Sequence, residues 1–314
     1  MKNKIRLIDV SILSSYMGKA LTGLVTLFVI GIAVSALLNG GGIERNVIRV
    51  CVPRGDSAGE AVDAWEPFRA LLAGETRRPV IVSESAGDFP GGFDVYVMPV
   101  DDLFENESRL GVTVLFEIGS ARARGDKALV ITKSSAEPVD PSSVDPGDIA
   151  FADRRSVNGY WVQAGALAEK GVDVAAAEGL RFEGTRRDAT RAVFAVIFGG
   201  ARFGACRLSE IASLAERGMI DPREIRTVIA GEALPELVVS ADRRESEYFK
   251  KKIGAISTRL RERGALTSRG DAARLLEARG IEAIEPLPAP RLEQTRRLYE
   301  RFGAAARRGA SVSP

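Results

Sequence analysis

Short apolar segments alternate with longer amphipathic ones along most of this chain. Runs rich in β-branched and aromatic residues predict strands at residues 47–52, 79–83, 93–98, 112–118, 128–132, 148–152, 180–183, 203–206, 226–229 and 236–240. Apolar positions at helical spacing predict helices at residues 58–73, 158–170, 188–198, 208–217, 245–263, 269–278 and 291–302. Strands that alternate with helices favour parallel sheets covered on both faces. The pattern therefore predicts an α/β protein large enough for two domains.

One long apolar segment, residues 20–38, contains no charged side chain. Its 19 residues reach about 30 Å as a helix, which is the thickness of a bilayer's hydrocarbon core. The preceding leader, residues 1–19, carries Lys2, Lys4, Arg6 and Lys19 against Asp9. Because positive flanks stay on the cytoplasmic side, the leader is predicted to be cytoplasmic and the rest of the chain to lie outside the inner membrane, in the periplasm. A cleaved signal peptide is the alternative, since Val34-Ser35-Ala36 offers small residues for cleavage.

Charge and composition exclude several classes of function. The leader carries a formal +3 against +2 for the whole chain, so the other 295 residues sum to −1. That balance argues against nucleic acid as a partner, because general nucleic-acid binders need a concentrated positive field. Histidine is absent, which removes imidazole bases, Ser-His-Asp triads and His-ligated zinc. Most hydrolase mechanisms are therefore hard to build. Because no P-loop and no metal-ligand cluster stands out either, the sequence predicts no enzyme, no cofactor and no metal site.

The two cysteines, Cys51 and Cys206, are too far apart in sequence to form a CxxC pair. Two interpretations stay open, a disulfide formed in an oxidising compartment and two buried free thiols.

Four motifs follow one another along residues 47–303. They are Ile48-Arg49-Val50-Cys51-Val52-Pro53 with the helical Trp65-Glu66-Pro67-Phe68; Phe93-Asp94-Val95-Tyr96-Val97-Met98-Pro99; the stretch from Asp148 to Arg207 with Ser156-Val157-Asn158-Gly159-Tyr160 and Gly184-Thr185-Arg186-Arg187-Asp188; and Leu234-Pro235-Glu236-Leu237-Val238-Val239 with the C-terminal helices. In this order they resemble the phosphate, phosphite and phosphonate type of substrate-binding proteins that serve ABC importers.

The resemblance implies a two-lobed periplasmic-binding-protein-like α/β fold with parallel-rich sheets, here preceded by the transmembrane helix. Lobe 1 would hold residues 46–125 and 231–306, and lobe 2 would be the inserted residues 126–230. The crossings near residues 125–130 and 226–235 would be hinges whose closure buries a small ligand.

Chemistry that suits an oxyanion is expected where strands end and helices begin. A helix that starts after Ser156 offers free backbone N–H groups, and Asn158 adds a short polar side chain. Guanidinium groups at Arg186, Arg187 and Arg207 bind phosphate-like oxygens through paired donors. The plain alternatives are that Ser156 and Asn158 cap the helix and that the arginines are solvated or structural.

The complete prediction for the cleft includes residues from both lobes. The candidate ligand-binding residues are Ser156, Val157, Asn158, Gly159, Tyr160, Thr185, Arg186, Arg187, Asp188, Arg207, Met98, Pro99 and Arg54. Arg187 stands where many phosphonate binders have histidine, and Arg207 stands where they have an acidic residue. These departures favour a fully ionised or doubly acidic ligand over an aminoalkyl phosphonate.

Two hypotheses of function result. The first is a membrane-anchored extracytoplasmic binding protein that captures a small oxyanion, such as phosphate or a phosphonate, for the permease of an ABC importer or for a membrane sensor partner. The second is a binding fold that has lost its ligand and serves as a scaffold or sensory subunit of a membrane complex.

Overall fold

Two β-sheets organise the part of the chain that the computed structural model describes, namely residues 46–54, 60–85, 88–119, 125–186, 188–263 and 283–304. The strands are β1 (Ile48–Pro53), β2 (Val80–Ser85), β3 (Val95–Pro99), β4 (Val112–Gly119), β5 (Lys127–Lys133), β6 (Ile149–Phe151), β7 (Arg181–Phe182), β8 (Phe203–Arg207), β9 (Ile225–Glu232), β10 (Leu237–Asp242) and β11 (Ala283–Pro286). The helices are α1 (Glu60–Thr76), α2 (Val100–Leu110), α3 (Val162–Ala168), α4 (Thr190–Ile197), α5 (Leu208–Glu216), α6 (Ser246–Arg263) and α7 (Ala289–Leu298). Two π-helical turns, Val157–Trp161 and Tyr299–Gly303, precede α3 and follow α7.

Each sheet defines one lobe. The sheet of lobe 1 has the strand order β11-β4-β10-β3-β1-β2, and that of lobe 2 has the order β7-β6-β8-β5-β9. Helices α1, α2 and α6 pack on the first sheet, and α3, α4 and α5 pack on the second. The chain enters lobe 2 after β4 and returns after β9, so lobe 2 is an insertion in lobe 1. From Arg49 on, the strands of both sheets belong to one compact unit.

The sheets are mixed, so the prediction of parallel-rich sheets is wrong. The pairs β1–β3, β6–β7 and β6–β8 are parallel, whereas β3–β10, β10–β4, β4–β11, β5–β8 and β5–β9 are antiparallel. The reason is the double crossing: each strand that leads into or out of the other lobe runs against its neighbours. The two-lobed α/β fold itself is confirmed.

The predicted domain boundaries, at residues 125/126 and 230/231, stay predictions, as do the hinges. Among the described residues, no helix is both long and apolar enough to cross a bilayer. The predicted span at residues 20–38, its leader and the predicted helix at residues 269–278 lie outside the described residues.

The C-terminal helix α7 and the π-helical turn after it pack against both lobes. On the lobe 1 side, Nη1 and Nη2 of Arg296 donate to the carboxylate of Glu107 on α2 at 2.6 and 2.9 Å. On the lobe 2 side, the ring of Tyr299 lies 5.6 Å from that of Trp161, between centroids. Helix α7 and the turn after it thus join the two lobes at a place other than the two crossings.

Both cysteines are free and buried, as one of the two interpretations predicted. Cys51 lies on β1 and Cys206 on β8, so they belong to different lobes. Burial raises the pKa of the Cys51 thiol to about 12 and the pKa of Cys206 well above its usual range.

These pKa shifts predict that the native thiols are nearly inert. At pH 8 the thiolate fraction of Cys51 should be smaller than that of an exposed cysteine by about three orders of magnitude, and only the thiolate reacts with disulfide reagents. Titration of the native and urea-unfolded chain with Ellman's reagent checks this expectation. An Ala212→Cys variant, exposed on α5, is the positive control. Two fast-reacting thiols in the native wild-type chain would contradict it.

Candidate ligand-binding site

The turn that begins lobe 2's first helix is built by a serine cap and a glycine. Ser156 has an extended backbone, and its Oγ accepts a hydrogen bond from the N–H of Gly159 at 3.0 Å. The predicted capping role of Ser156 is therefore confirmed. A Cβ on Gly159 would lie 2.5 Å from the Cβ of Ala152, at the end of β6. Glycine lets the turn approach the strand end closely, and this approach fixes the direction of the following N–H groups.

Asn158 does not act as a cap. Its side chain is buried and pairs with the backbone of Leu234, which lies on the crossing from β9 to β10. Nδ2 donates to the Leu234 carbonyl at 2.7 Å, and Oδ1 accepts from the Leu234 N–H at 2.8 Å. Asn158 thus fastens the start of lobe 2's first helix to the chain segment that returns to lobe 1.

Val157 and Tyr160 are buried in the core at the same turn. The ring of Tyr160 lies 5.0 Å from Phe151, 5.3 Å from Phe182 and 6.2 Å from Phe302, between centroids. Burial raises the pKa of Tyr160. Both side chains therefore support the turn by packing.

Arg207 lies at the end of β8 and is paired with two carboxylates. Its Nη1 is 3.2 Å from Oε2 of Glu236, and its Nη2 is 3.3 Å from Oε1 of Glu210. Glu236 raises the pKa of Arg207 further above its usual high value, while burial raises the pKa of Glu210. The Asn158 N–H also points to Oε1 of Glu236, at 3.4 Å. One carboxylate of the chain itself thus faces the helix start and the guanidinium group that were predicted to bind a ligand.

Two further arginines of lobe 2 reach two aspartates of lobe 1. Asp101 and Asp102 lie in the first turn of α2, with side chains 3% and 4% exposed. Arg155 contacts Asp101 through Nε at 2.7 Å and Asp102 through Nη2 at 2.5 Å. Arg186 pairs with Asp101 and, through Nη1, with Asp102 at 3.2 Å. The Asp101, Asp102, Arg155 and Arg186 side chains form what we call the interlobe ion cluster.

The other predicted residues lie around this region or apart from it. Thr185 and Asp188 pair through their backbones, and Asp188 Oδ1 accepts from the Thr190 N–H at the start of α4. Met98 and Pro99 are buried at the end of β3, directly before α2. Arg54 is exposed, and its backbone N–H donates to the Ser85 carbonyl. Arg187 lies outside the described residues.

Sequence reasoning missed the acidic half of the site. Asp101, Asp102, Glu210 and Glu236 were not among the predicted residues, and neither was Arg155. A signal existed for the aspartates, because they follow Pro99 and Val100 at a strand end that was placed at the cleft. Acidic residues are common in the first turn of a helix because they interact favourably with the helix dipole. Their presence there therefore does not indicate that they pair with residues of another lobe.

Taken together, the described groups offer charged donors and acceptors that can bind ions. Each of the three guanidinium groups at residues 155, 186 and 207 faces two carboxylates. Within the described ranges, no group of His, Cys, Asp and Glu side chains is arranged to hold a metal ion. The site is thus a region of dense charge between two lobes, with helix starts on both sides.

Comparison with known proteins identifies the family. The model of the phosphonate periplasmic substrate-binding proteins of ABC transporters matches residues 105–289, which is more than half of the chain. The chain belongs to this family. The family predicted from the sequence is thereby confirmed, and its description is that of a binding protein located in the periplasm. No curated protein sequence matches the chain significantly.

Solved structures share the fold at low sequence identity. The binding component of a phosphonate ABC transporter from Pseudomonas aeruginosa matches with a TM-score of 0.51 and 14% identity, over 84% of this chain and 98% of its own. PhnD1 from Prochlorococcus marinus, in complex with methylphosphonate, matches with a TM-score of 0.54 and 11% identity, over 82% and 98%. A Xanthomonas citri protein bound to ATP matches with a TM-score of 0.56 and 13% identity, over 85% and 100%. At these identities the likeness concerns the fold.

Proposed function

We propose that this chain is an extracytoplasmic binding protein that captures a small oxyanion between its two lobes and delivers it to the permease of an ABC importer. The observation that carries the proposal is the gathering of Arg155, Arg186 and Arg207 around the helix start at Ser156, at the boundary of the two lobes. Membership in a family of phosphonate-type binding proteins supports the same function. Capture by closure of two lobes requires no covalent step, so the proposal does not include an enzymatic activity.

The physical basis is complementarity to a compact, fully ionised anion. A guanidinium group offers two parallel N–H donors that match two oxygens of a phosphate-like group. Backbone N–H groups at a helix start add donors and the positive end of the helix dipole. Because the carboxylates already face these donors, a ligand has to replace Glu236 at Arg207 and at the Asn158 N–H. This requirement favours ligands with more charge than a single carboxylate carries.

A thermal-shift panel tests the proposal. Phosphate, phosphite, methylphosphonate, sulfate and dicarboxylates are the probes, with methylphosphonate included because PhnD1 was solved with it. An anion at 100 times its Kd should stabilise the folded chain by roughly 2.7 kcal/mol. Arg207→Ala should remove most of that stabilisation.

The control for this panel is Arg223→Ala, because Arg223 is 89% exposed and pairs with Asp221 at the surface of lobe 2. Its anion response should equal that of the wild type. If no anion in the panel raises the melting temperature, oxyanion capture is wrong. If an anion stabilises both variants alike, Arg207 does not bind it.

The proposal includes attachment to the inner membrane through residues 20–38. The supporting evidence is the 19-residue uncharged segment after a leader of formal charge +3. The mass of the protein isolated from the membrane fraction decides between an anchor and a cleaved signal peptide. An intact N-terminus in that fraction is expected, and a protein shortened near residue 36 and released from the membrane would contradict it.

A ligand-free scaffold or sensory subunit is the second candidate function. It is favoured by one observation, that carboxylates of the chain itself face all three guanidinium groups of the site. This function predicts that no anion in the panel changes the melting temperature and that the intact protein stays associated with a membrane complex. The panel therefore separates the two candidates.

A further inference from the structure

We propose that the interlobe ion cluster is a built-in lock that closes the two lobes without a ligand. In this lock Asp101 and Asp102 occupy the guanidinium groups that a bound anion would otherwise bridge. The lock itself does not depend on the proposed function; only the expectation that phosphate recloses an unlocked cleft rests on it.

The geometry of the cluster supports a lock because its two halves come from different lobes. Both aspartates belong to α2, which follows β3 in lobe 1, whereas Arg155 and Arg186 follow β6 and β7 in lobe 2. Each aspartate pairs with both arginines, so four ion pairs connect the lobes at one point. The arginine side chains are 37% and 24% exposed, and the aspartates lie beneath them.

The charges of the cluster explain why the lobes can close without a ligand. Closing two polar lobes removes water from their facing charges, and this costs free energy unless each charge gains a partner. Here every charge of the cluster gains partners of opposite sign on closure. A ligand shifts the equilibrium between open and closed lobes only by its difference in affinity for these two states. If the lobes are already closed in most molecules, a ligand can change the closed fraction only slightly.

Two further sets of contacts also hold the lobes together. Glu236, on the crossing that returns to lobe 1, pairs with Arg207 of lobe 2, and its backbone carbonyl accepts from the Val100 N–H at the start of α2. The segment formed by α7 and the following turn joins α2 to the first helix of lobe 2. The lock is thus placed where other contacts already limit the separation of the lobes.

Distance measurements between spin labels test the lock in the full-length chain. Ala212→Cys on α5 and Lys251→Cys on α6 place one label on each lobe at exposed helical positions. The buried native thiols, Cys51 and Cys206, should remain unlabelled. In the otherwise wild-type chain we expect one narrow distance distribution that millimolar phosphate leaves unchanged.

The Asp101→Asn/Asp102→Asn variant should release the lock. Its label distance should lengthen and its distribution should broaden, because asparagine keeps the shape of the side chain but removes the charge. Asp173→Asn/Asp221→Asn removes the same charge from two surface turns of lobe 2 and should leave the distribution narrow. A broad wild-type distribution, narrowing of the wild type by phosphate, or a released variant identical to wild type would overturn the lock.

A second variant separates the lock from the proposed function and guards against misfolding of the first. Arg155→Gln/Arg186→Gln removes the other half of the cluster and should broaden the distribution in the same way. Phosphate should narrow the distribution of the aspartate variant, which keeps its guanidinium groups, but not that of the arginine variant. If both variants open and phosphate narrows neither, the lock is supported and oxyanion capture is refuted. If the arginine variant folds and stays narrow, the lock is refuted.

Discussion

Replacing Asn158 by alanine should lower the free energy of unfolding by about 3 kcal/mol, since each buried backbone group left without a partner costs about 1–3 kcal/mol. The side chain of Asn158 satisfies both the N–H and the carbonyl of Leu234, and both residues are buried. Alanine reaches neither group, and the buried site leaves little room for water to replace the amide. Urea unfolding of the full-length chain, followed by tryptophan fluorescence, measures the loss.

Asn106→Ala is the matched control for this prediction. Asn106 is also buried, but its amide donates back to the Asp102 carbonyl inside the same helix, at 2.8 Å. Alanine is the better helix former, so the loss there should be below about 1 kcal/mol. Equal losses in the two variants would show that Asn158 has no special part in joining the crossing to lobe 2.

Replacing Gly159 by alanine should destabilise the fold by about 3 kcal/mol, at the upper end of the usual range for overpacking. The new Cβ would lie 2.5 Å from the Cβ of Ala152 and 2.8 Å from Oγ of Ser156. Neither neighbour can retreat easily, because the Ala152 N–H donates to the Gly159 carbonyl at 3.1 Å and Ser156 caps the turn. The clash should also displace the N–H groups of the turn, so the response to anions should fall together with the stability.

Gly74→Ala provides the contrast, because a Cβ on Gly74, in helix α1, would meet no atom within 4 Å. Alanine in a helix interior is favoured over glycine by about 0.5–1 kcal/mol, so this variant should be slightly more stable than wild type. The same urea titration measures both variants. A Gly159→Ala chain as stable as wild type would show that the turn and β6 do not need their close approach.

The sequence predicted most strands and the order of the fold, but it missed one helix. Helix α2 (Val100–Leu110) was not predicted, although its apolar residues Val100, Leu103, Phe104 and Leu110 lie at helical spacing. Signals of its ends were present, with Asp101 and Asp102 in the first turn, Arg109 in the last turn and Gly111 after it in the left-handed conformation. The miss had a consequence, since this helix carries the acidic half of the ion cluster.

The ligand-binding site stays a prediction, and the ion pairs that its residues form were not predicted. Ser156 and Arg207 lie where the pattern of strand ends and helix starts placed them. Their partners could not be predicted, because the contacts between Arg155 and Asp101 or between Arg207 and Glu236 depend on how two separate sheets meet. The charges and spacing of residues along the chain do not determine how the two sheets meet. They also do not determine which of many carboxylates an arginine contacts.

The position of β10 in its sheet has a consequence for biogenesis. Strand β10 (Leu237–Asp242) lies between β3 and β4 and pairs with both, so the middle of the first sheet stays open until these late residues have left the ribosome. The inserted lobe, by contrast, is complete in sequence by β9. We therefore expect the second lobe to gain hydrogen-exchange protection first during refolding and the first lobe to follow slowly, as is general for pairings of high contact order.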